Sequence, residues 1–193
     1  MKTIRNFLVI SFLFVLLQPT DVFSTAQIPD YLIYNGETYP IFSNPLESFF
    51  NEKNPRPYHL FVRTCTACWR GYVATWKIED GFLYLHKIEE GTCASKPAEI
   101  NLSILFPGRK EPVKADWFTG TLRIPQGKQL MYIHMGYGSV YEKEVLLFIQ
   151  AGQLIKEELL DNTKKKLPSW EEKSLDELNK LREWEERNKK KSN

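Results

Sequence analysis

The chain has 193 residues and a formal net charge of +2 at pH 7, a near balance that gives no reason to expect a nucleic acid partner. Its length beyond the N-terminal leader suffices for one domain with its own hydrophobic core. The three cysteines are an odd number, so one of them is left over or pairs between molecules.

The N-terminus has the pattern of a secretory signal peptide. A basic region with Lys2 and Arg5 precedes the apolar run 7–17, and small residues up to Ala26 suit cleavage before Gln27. The apolar run is about half of the roughly 20 residues that a membrane span needs. We therefore expect export to the periplasm or the exterior after cleavage near Ala26, with no transmembrane span in the mature chain.

Turn signals divide 27–160 into short strands and predict a β-rich globular domain. The clearest hairpin spans 64–88 around Asp80-Gly81, and Asn35-Gly36 predicts a second one, whose return strand Pro40 confines to a sheet edge. Roughly six to eight short antiparallel strands with small helical pieces favour a β-sandwich or a partly open barrel. The fold class is thus mainly β.

Two shorter predictions concern the segment between these hairpins. Asn44-Pro45 predicts the start of a short helix, with Asn44 as its N-cap. The stretch 58–64 is a further strand candidate, because aromatic and branched residues are frequent in it.

The composition changes after Leu160. A charged linker is predicted over 161–168, followed over 169–193 by a C-terminal amphipathic helix with a basic tail. Leu178, Leu181 and Trp184 form its apolar stripe at helical spacing. Docking of this stripe on the β-body is favoured over binding to a partner or a membrane surface.

Three stretches of the sequence resemble those of a family of exported bacterial hypothetical proteins. They are CWRGYVATWKI (68–78), ADWFTGTLRIPQG (115–127) and YIHMGYGSVYEKE (132–144), and the resemblance covers 58–158. It implies a bacterial source and a mainly β body. The family brings no established activity, so the resemblance assigns no catalytic or binding residue.

The register of the central hairpin predicts a disulfide between Cys68 and Cys93. A two-residue Asp80-Gly81 loop makes the numbers of paired residues sum to 161, and the same sum at the open end places these two cysteines opposite each other. Cys65 would then be the odd thiol. A local Cys65–Cys68 bridge is the alternative, although it would close too small a loop to stabilise much, and a bulge near the open end would break the register.

Cys65 and Cys68 also have the spacing of a thiol–disulfide motif. In such motifs a helix N-terminus lowers the pKa of the attacking thiol, whereas the sequence from Trp69 onward is typical of a strand. A structural disulfide is therefore favoured over redox activity. No metal site is expected, because zinc needs about four ligands and the histidines stand alone at 59, 86 and 134.

Asp116 and His134 are candidates for the acid and base of an exported hydrolase. A catalytic triad is defined by geometry, and no nucleophile-elbow motif or phosphate loop supports them. The favoured interpretation places Asp116 in a turn and His134 on the surface of a strand. Asp116 would then accept a hydrogen bond from the indole N–H of the adjacent Trp117.

A glycine-flexible aromatic loop at 136–141 favours binding over catalysis, because such loops bind partners when a rigid sheet carries them. Arg70, Arg123 and Tyr137 are candidates for a polar and aromatic recognition patch. The leading interpretation is an exported, non-enzymatic β-domain that binds an unidentified protein or cell-envelope component without a cofactor. The alternatives are a hydrolase using Asp116 and His134 and a thiol-active protein using Cys65 and Cys68.

Overall fold

The computed structural model describes residues 26–133 and 136–165. Several predicted features lie outside the described residues. They are the signal peptide up to residue 25, His134, and the C-terminal helix with its stripe of Leu178, Leu181 and Trp184.

Eight strands form one sheet. They are β1 (Asp30–Tyr34), β2 (Glu37–Ile41), β3 (Tyr72–Glu79), β4 (Phe82–Glu90), β5 (Val113–Lys114), β6 (Gly120–Met131), β7 (Val140–Gln150) and β8 (Gln153–Asp161). Among the described residues, two short helices accompany them, a 3-10 helix η1 (Pro45–Phe49) and an α-helix α1 (Leu102–Leu105).

The sheet curls into a partly open barrel. Its strand order is β2-β1-β3-β4-β8-β7-β6, with β5 paired to β4. The two ends of this order meet where Phe42 N donates to Arg123 O at 2.8 Å, while β4 and β8 pair only at Phe82 and Gln153. The predicted mainly β class is confirmed, with one difference, because β1 and β3 are parallel.

Both predicted hairpin turns are confirmed. Asn35 and Gly36 have φ of 52° and 83°, and Asp80 and Gly81 have φ of 49° and 75°. These positive values are what a tight two-residue hairpin loop requires, which explains the Asn-Gly and Asp-Gly sequences. β2 is also the edge strand that Pro40 demands.

The register of the central hairpin holds only near its turn. Ile78 faces Leu83 and Trp76 faces Leu85, as predicted, and a bulge then places Ala74 opposite Ile88. The unshifted register would put Lys87 on the core side, whereas the bulge keeps Ile88 there, fully buried.

The predicted Cys68–Cys93 disulfide is wrong, since Cys93 bonds to Cys65 and Cys68 is the free, buried thiol. Besides the bulge, the chain before β3 turns instead of continuing the strand, because Cys68 N donates to Cys65 O and Gly71 N to Cys68 O. These turns bring Cys65 to Cys93 and point Cys68 inward at Gly91, where an added Cβ would lie 2.6 Å from Cys68 Sγ.

Two local predictions between the hairpins are also wrong. The stretch 58–64 forms turns, with Leu60 N donating to Pro57 O and Thr64 N to Val62 O. Asn44 makes no side-chain cap to η1, although Pro45 does begin that helix.

The hydrophobic core fills the barrel. Its largest fully buried side chains come from strands on both sides of the β4–β8 seam, so one core spans the barrel. They include Leu32, Trp76, Leu83, Leu85, Leu122 and Ile124.

Candidate functional site

A buried ion pair joins the start of β1 to the turn before β3. Asp30 and Arg70 are both 0% exposed, and Arg70 Nη2 lies 2.8 Å from Asp30 Oδ1. The parallel pairing of β1 with β3 places the Asp30 carboxylate beside two further donors, Ala74 N at 3.1 Å and Trp76 Nε1 at 3.2 Å. Arg70 Nη1 donates to Ile28 O at 2.8 Å.

Burial raises the pKa of the Asp30 carboxyl, while the Arg70 guanidinium and the Ala74 and Trp76 donors act against that shift. Two charges removed from water are tolerated when each is paired and hydrogen-bonded. The pair therefore serves the fold, and removal of either member would leave an unpaired charge in the interior.

Tyr137 connects the loop between β6 and β7 to this ion pair. Its hydroxyl accepts from Arg70 Nη1 at 3.1 Å, and Ile28 O and Asn44 Oδ1 each lie 3.1 Å away as acceptors for its proton. Burial raises the pKa of Tyr137 to about 12. The phenol therefore stays protonated at neutral pH and holds the loop against the body.

Arg123, the third residue of the predicted recognition patch, lies close by. Its guanidinium carbon is 5.3 Å from the centre of the Phe42 ring, which stacks on Tyr137 at 5.2 Å. Arg123 also pairs with Glu144 at 2.8 Å. Sequence analysis thus named three residues that the fold brings together. Since Arg70 lies wholly beneath the surface, their role in recognition stays a prediction.

Three of the large apolar side chains that are exposed in the described residues lie on the segment 58–69, which leads into this turn. Tyr58 is 67% exposed, Val62 56% and Trp69 46%. A cavity of about 250 Å³ lies beside Val62, and its lining comprises Leu60, Val62, Thr64, Glu90 and Thr92. We call the exposed side of residues 58–69 the apolar loop surface.

The apolar loop surface rests on a rigid base built around Arg56. The Arg56 guanidinium carbon lies 5.3 Å from the Phe50 and Phe61 rings and 5.6 Å from the Tyr72 ring. Its Nη1 donates to Glu47 Oε1 at 2.7 Å, and the Tyr72 hydroxyl donates to the same oxygen at 2.8 Å.

The Cys65–Cys93 disulfide anchors the same segment near its C-terminal end. The segment that carries the exposed side chains is therefore tied to the body by a covalent bond as well as by the contact of Arg56 with Phe61.

The free Cys68 thiol is a poor candidate for redox chemistry. Burial raises its pKa, which lowers the thiolate fraction that attacks a disulfide. Its Sγ lies 3.0 Å from Tyr72 O, and Cys65 is bonded elsewhere. The geometry of the described residues therefore gives the thiol-active alternative no support.

Asp116 lines an open groove of about 570 Å³ at the β4–β5 edge. Its carboxylate pairs with Arg109 Nη1 at 2.9 Å, while the indole of the adjacent Trp117 donates to Pro45 O. The predicted Asp116–Trp117 hydrogen bond is thus wrong. Because His134 lies outside the described residues, the hydrolase pair Asp116 and His134 stays a hypothesis.

Among residues 26–133 and 136–165, no group of three His, Cys, Asp or Glu side chains is placed to hold a metal ion. Within the same residues, no helix is long and apolar enough to span a membrane. Comparisons with protein-family models, curated proteins and solved structures give no match.

Sequence analysis missed the apolar loop surface because it assigned 58–64 to a strand, where alternate side chains would be buried. Pro55 and Pro57 just before it, together with Cys65 just after it, were signals for an irregular segment. Asp30 had no sequence signal, since an acidic residue before an apolar strand is ordinarily solvated.

Proposed function

We propose that the protein is an exported, non-enzymatic β-domain that binds a protein or another cell-envelope component through the apolar loop surface. The single observation behind this proposal is the exposure of Tyr58, Val62 and Trp69 on one disulfide-anchored segment. Burying such side chains against a partner is favourable by roughly 25 cal/mol per Å² of apolar area.

The composition of the surface supports recognition. Tyr, Trp and Arg are the side chains that most often dominate binding energy at interfaces. Here the Arg63 guanidinium carbon lies 5.9 Å from the Trp69 ring centre, so a cation and an indole face solvent together. The cavity beside Val62 could accept an apolar side chain of the partner, with Glu90 and Thr92 as its polar rim.

The disulfide supports export as the setting. Disulfides form and persist in the periplasm and outside the cell, and are rare in the reducing cytosol. A Cys65–Cys93 bond between the segment before β3 and the loop after β4 therefore agrees with the signal pattern of the sequence. Cleavage near Ala26 remains part of the proposal.

Site-specific photo-cross-linking tests the proposal. The full chain is expressed in exporting cells with a photoreactive amino acid at Val62, and separately at Ile104, an equally exposed apolar position on α1 that is 57% exposed. We expect a discrete adduct from Val62 and none from Ile104, with mass spectrometry identifying the partner. The photoreactive amino acid is also placed at Tyr58 and at Trp69. Equal adducts from Val62 and Ile104, or no adduct from any of Val62, Tyr58 and Trp69, would contradict the proposal.

A further inference from the structure

β8 has a free edge over most of its length. β7 pairs with it from Gln153 to Asp161, with one register shift that leaves Ile155 without a partner in β7, whereas on the other side β4 pairs with it only at Gln153. Leu154 N still donates to Gly81 O at 2.8 Å. From Ile155 onward, the described residues therefore provide backbone partners on one side of β8 alone. An unpaired edge is a template for a further strand.

The free edge carries large apolar side chains, as Ile155 is 57% exposed and Leu159 is 58% exposed. The other edges of the described sheet are less suited to pairing. β2 contains Pro40, which lacks an N–H. The outer part of β6 has two register irregularities between Gln126 and Met131, whereas β8 has one, beside Ile155, and such irregularities break up a pairing edge.

The sequence of this edge is complementary to itself. Residues 154–160 read LIKEELL, and an antiparallel copy centred on Glu157 places Lys156 opposite Glu158 and Ile155 opposite Leu159. Each of these two cross-strand pairs occurs twice, because the two copies are related by symmetry. Opposite charges and apolar pairs facing each other across strands each stabilise the pairing.

We propose that β8 pairs with β8 of a second copy of this chain, antiparallel and about a two-fold axis at Glu157. Such an interface is isologous and closes on itself, so it yields a dimer and no fibre. In the single chain, Lys156 forms an ion pair with Glu158 at 2.8 Å. In the dimer, Lys156 of each copy instead faces Glu158 of the other copy. A short edge makes a small interface, so the dimer is weak and depends on concentration.

The axis also places two Glu157 carboxylates opposite each other. Each accepts a hydrogen bond from Tyr34 of its own chain at 2.8 Å, yet two like charges directly opposed weaken strand pairing. The substitution Glu157→Gln therefore strengthens the dimer. This result would be specific to the register centred on Glu157.

The decisive experiment mixes two charge-reversed variants of the full chain. Lys156→Glu gives a strand with like negative charges at 156 and 158, and Glu158→Lys gives one with like positive charges. By sedimentation over a dilution series, each variant alone should dimerise about tenfold more weakly than the wild type. A mixture of the two should recover the dimer, because both cross-strand pairs are then complementary.

A wild type that stays monomeric throughout the series would overturn the inference. A dimer indifferent to both charge reversals, or a mixture no tighter than its components, would do the same. A photoreactive amino acid at Leu159 identifies the occupant of the edge. An adduct between two copies at β8 supports the inference, whereas an adduct with 169–193 of the same chain, or with another protein, contradicts it.

Discussion

Trp69 and Arg70 are consecutive residues of one turn, and the fold treats them in opposite ways. The indole is 46% exposed, while the guanidinium is fully buried. Hydropathy alone would reverse this assignment. Arg70 is buried because Asp30, Tyr137 and Ile28 O surround its charge. The side chain of Trp69 has no such role in the core, so the fold leaves it available for a partner.

Breaking the buried side of this turn should have the largest effect. Asp30→Ala leaves Arg70 as an unpaired buried charge, and it removes the acceptor of the Ala74 and Trp76 N–H groups. We therefore expect the free energy of unfolding to fall by about 3–5 kcal/mol. Chemical denaturation measures it. Asp116→Ala is the matched control, because it breaks an exposed pair with Arg109 and should cost less than about 1 kcal/mol. Equal losses for the two variants would refute the assigned role of Asp30.

The disulfide on the same segment comes next. Cys65→Ser opens a loop whose ends are 28 residues apart, which the chain-entropy relation makes worth about 3–4 kcal/mol. Cys68→Ala removes only a small buried thiol and should cost markedly less. Peptide mapping of the unreduced protein provides the independent check, with Cys65 joined to Cys93 and Cys68 alkylated only after denaturation. A Cys68–Cys93 peptide would contradict the structure.

Tyr137 should make the free energy of unfolding depend on pH in the alkaline range. Its pKa is about 12 in the fold against 10.0 for a free phenol, so the folded state holds the proton more tightly. The resulting stabilisation is complete below pH 10 and is lost as the pH rises through 12, a fall of about 2–3 kcal/mol at roughly 1.4 kcal/mol per pKa unit.

Tyr137→Phe should remove that part of the fall, while Tyr72, whose pKa burial also raises, retains its own part. The readout is denaturation at a series of alkaline pH values. The exposed Tyr58→Phe is the control. An unchanged slope in Tyr137→Phe would show that the hydroxyl does not hold the loop.

The exposed side of the turn should have the smallest effect on stability. Trp69→Ser and Val62→Ser remove side chains that are about half exposed, so the free energy of unfolding should change by roughly 0.5 kcal/mol or less. In cells, Trp69→Ser should weaken the adduct formed by a photoreactive amino acid at Val62, and Val62→Ser should weaken the adduct formed by one at Trp69. A large loss of stability would mean that these side chains belong to the core, and the contrast between the two sides of the turn would disappear.

Sequence reasoning was right where a signal is local. The Asn35-Gly36 and Asp80-Gly81 turns depend only on backbone sterics, and both occur. The disulfide prediction failed because it extended a regular register past a bulge. The spacing of Leu83, Leu85 and Ile88, which breaks strict alternation, was a readable sign of that bulge.

The apolar loop surface and the ion pair were harder to predict for a different reason. Asp30 meets Arg70 across 40 residues, and no local pattern specifies a contact between such distant positions. The exposure of Val62 and Trp69 follows from two turns and a disulfide partner, each of which depends on the path of the whole chain.

The parallel contact of β1 with β3 has a consequence for the order of folding. The β3–β4 hairpin needs only a two-residue loop, whereas β1 reaches β3 only after a long loop closes, and contacts that require such closure form slowly. Before β1 docks on β3, the Arg70 guanidinium is not paired with Asp30 and stays hydrated. We therefore expect docking of β1 on β3 to be the step that dehydrates the guanidinium.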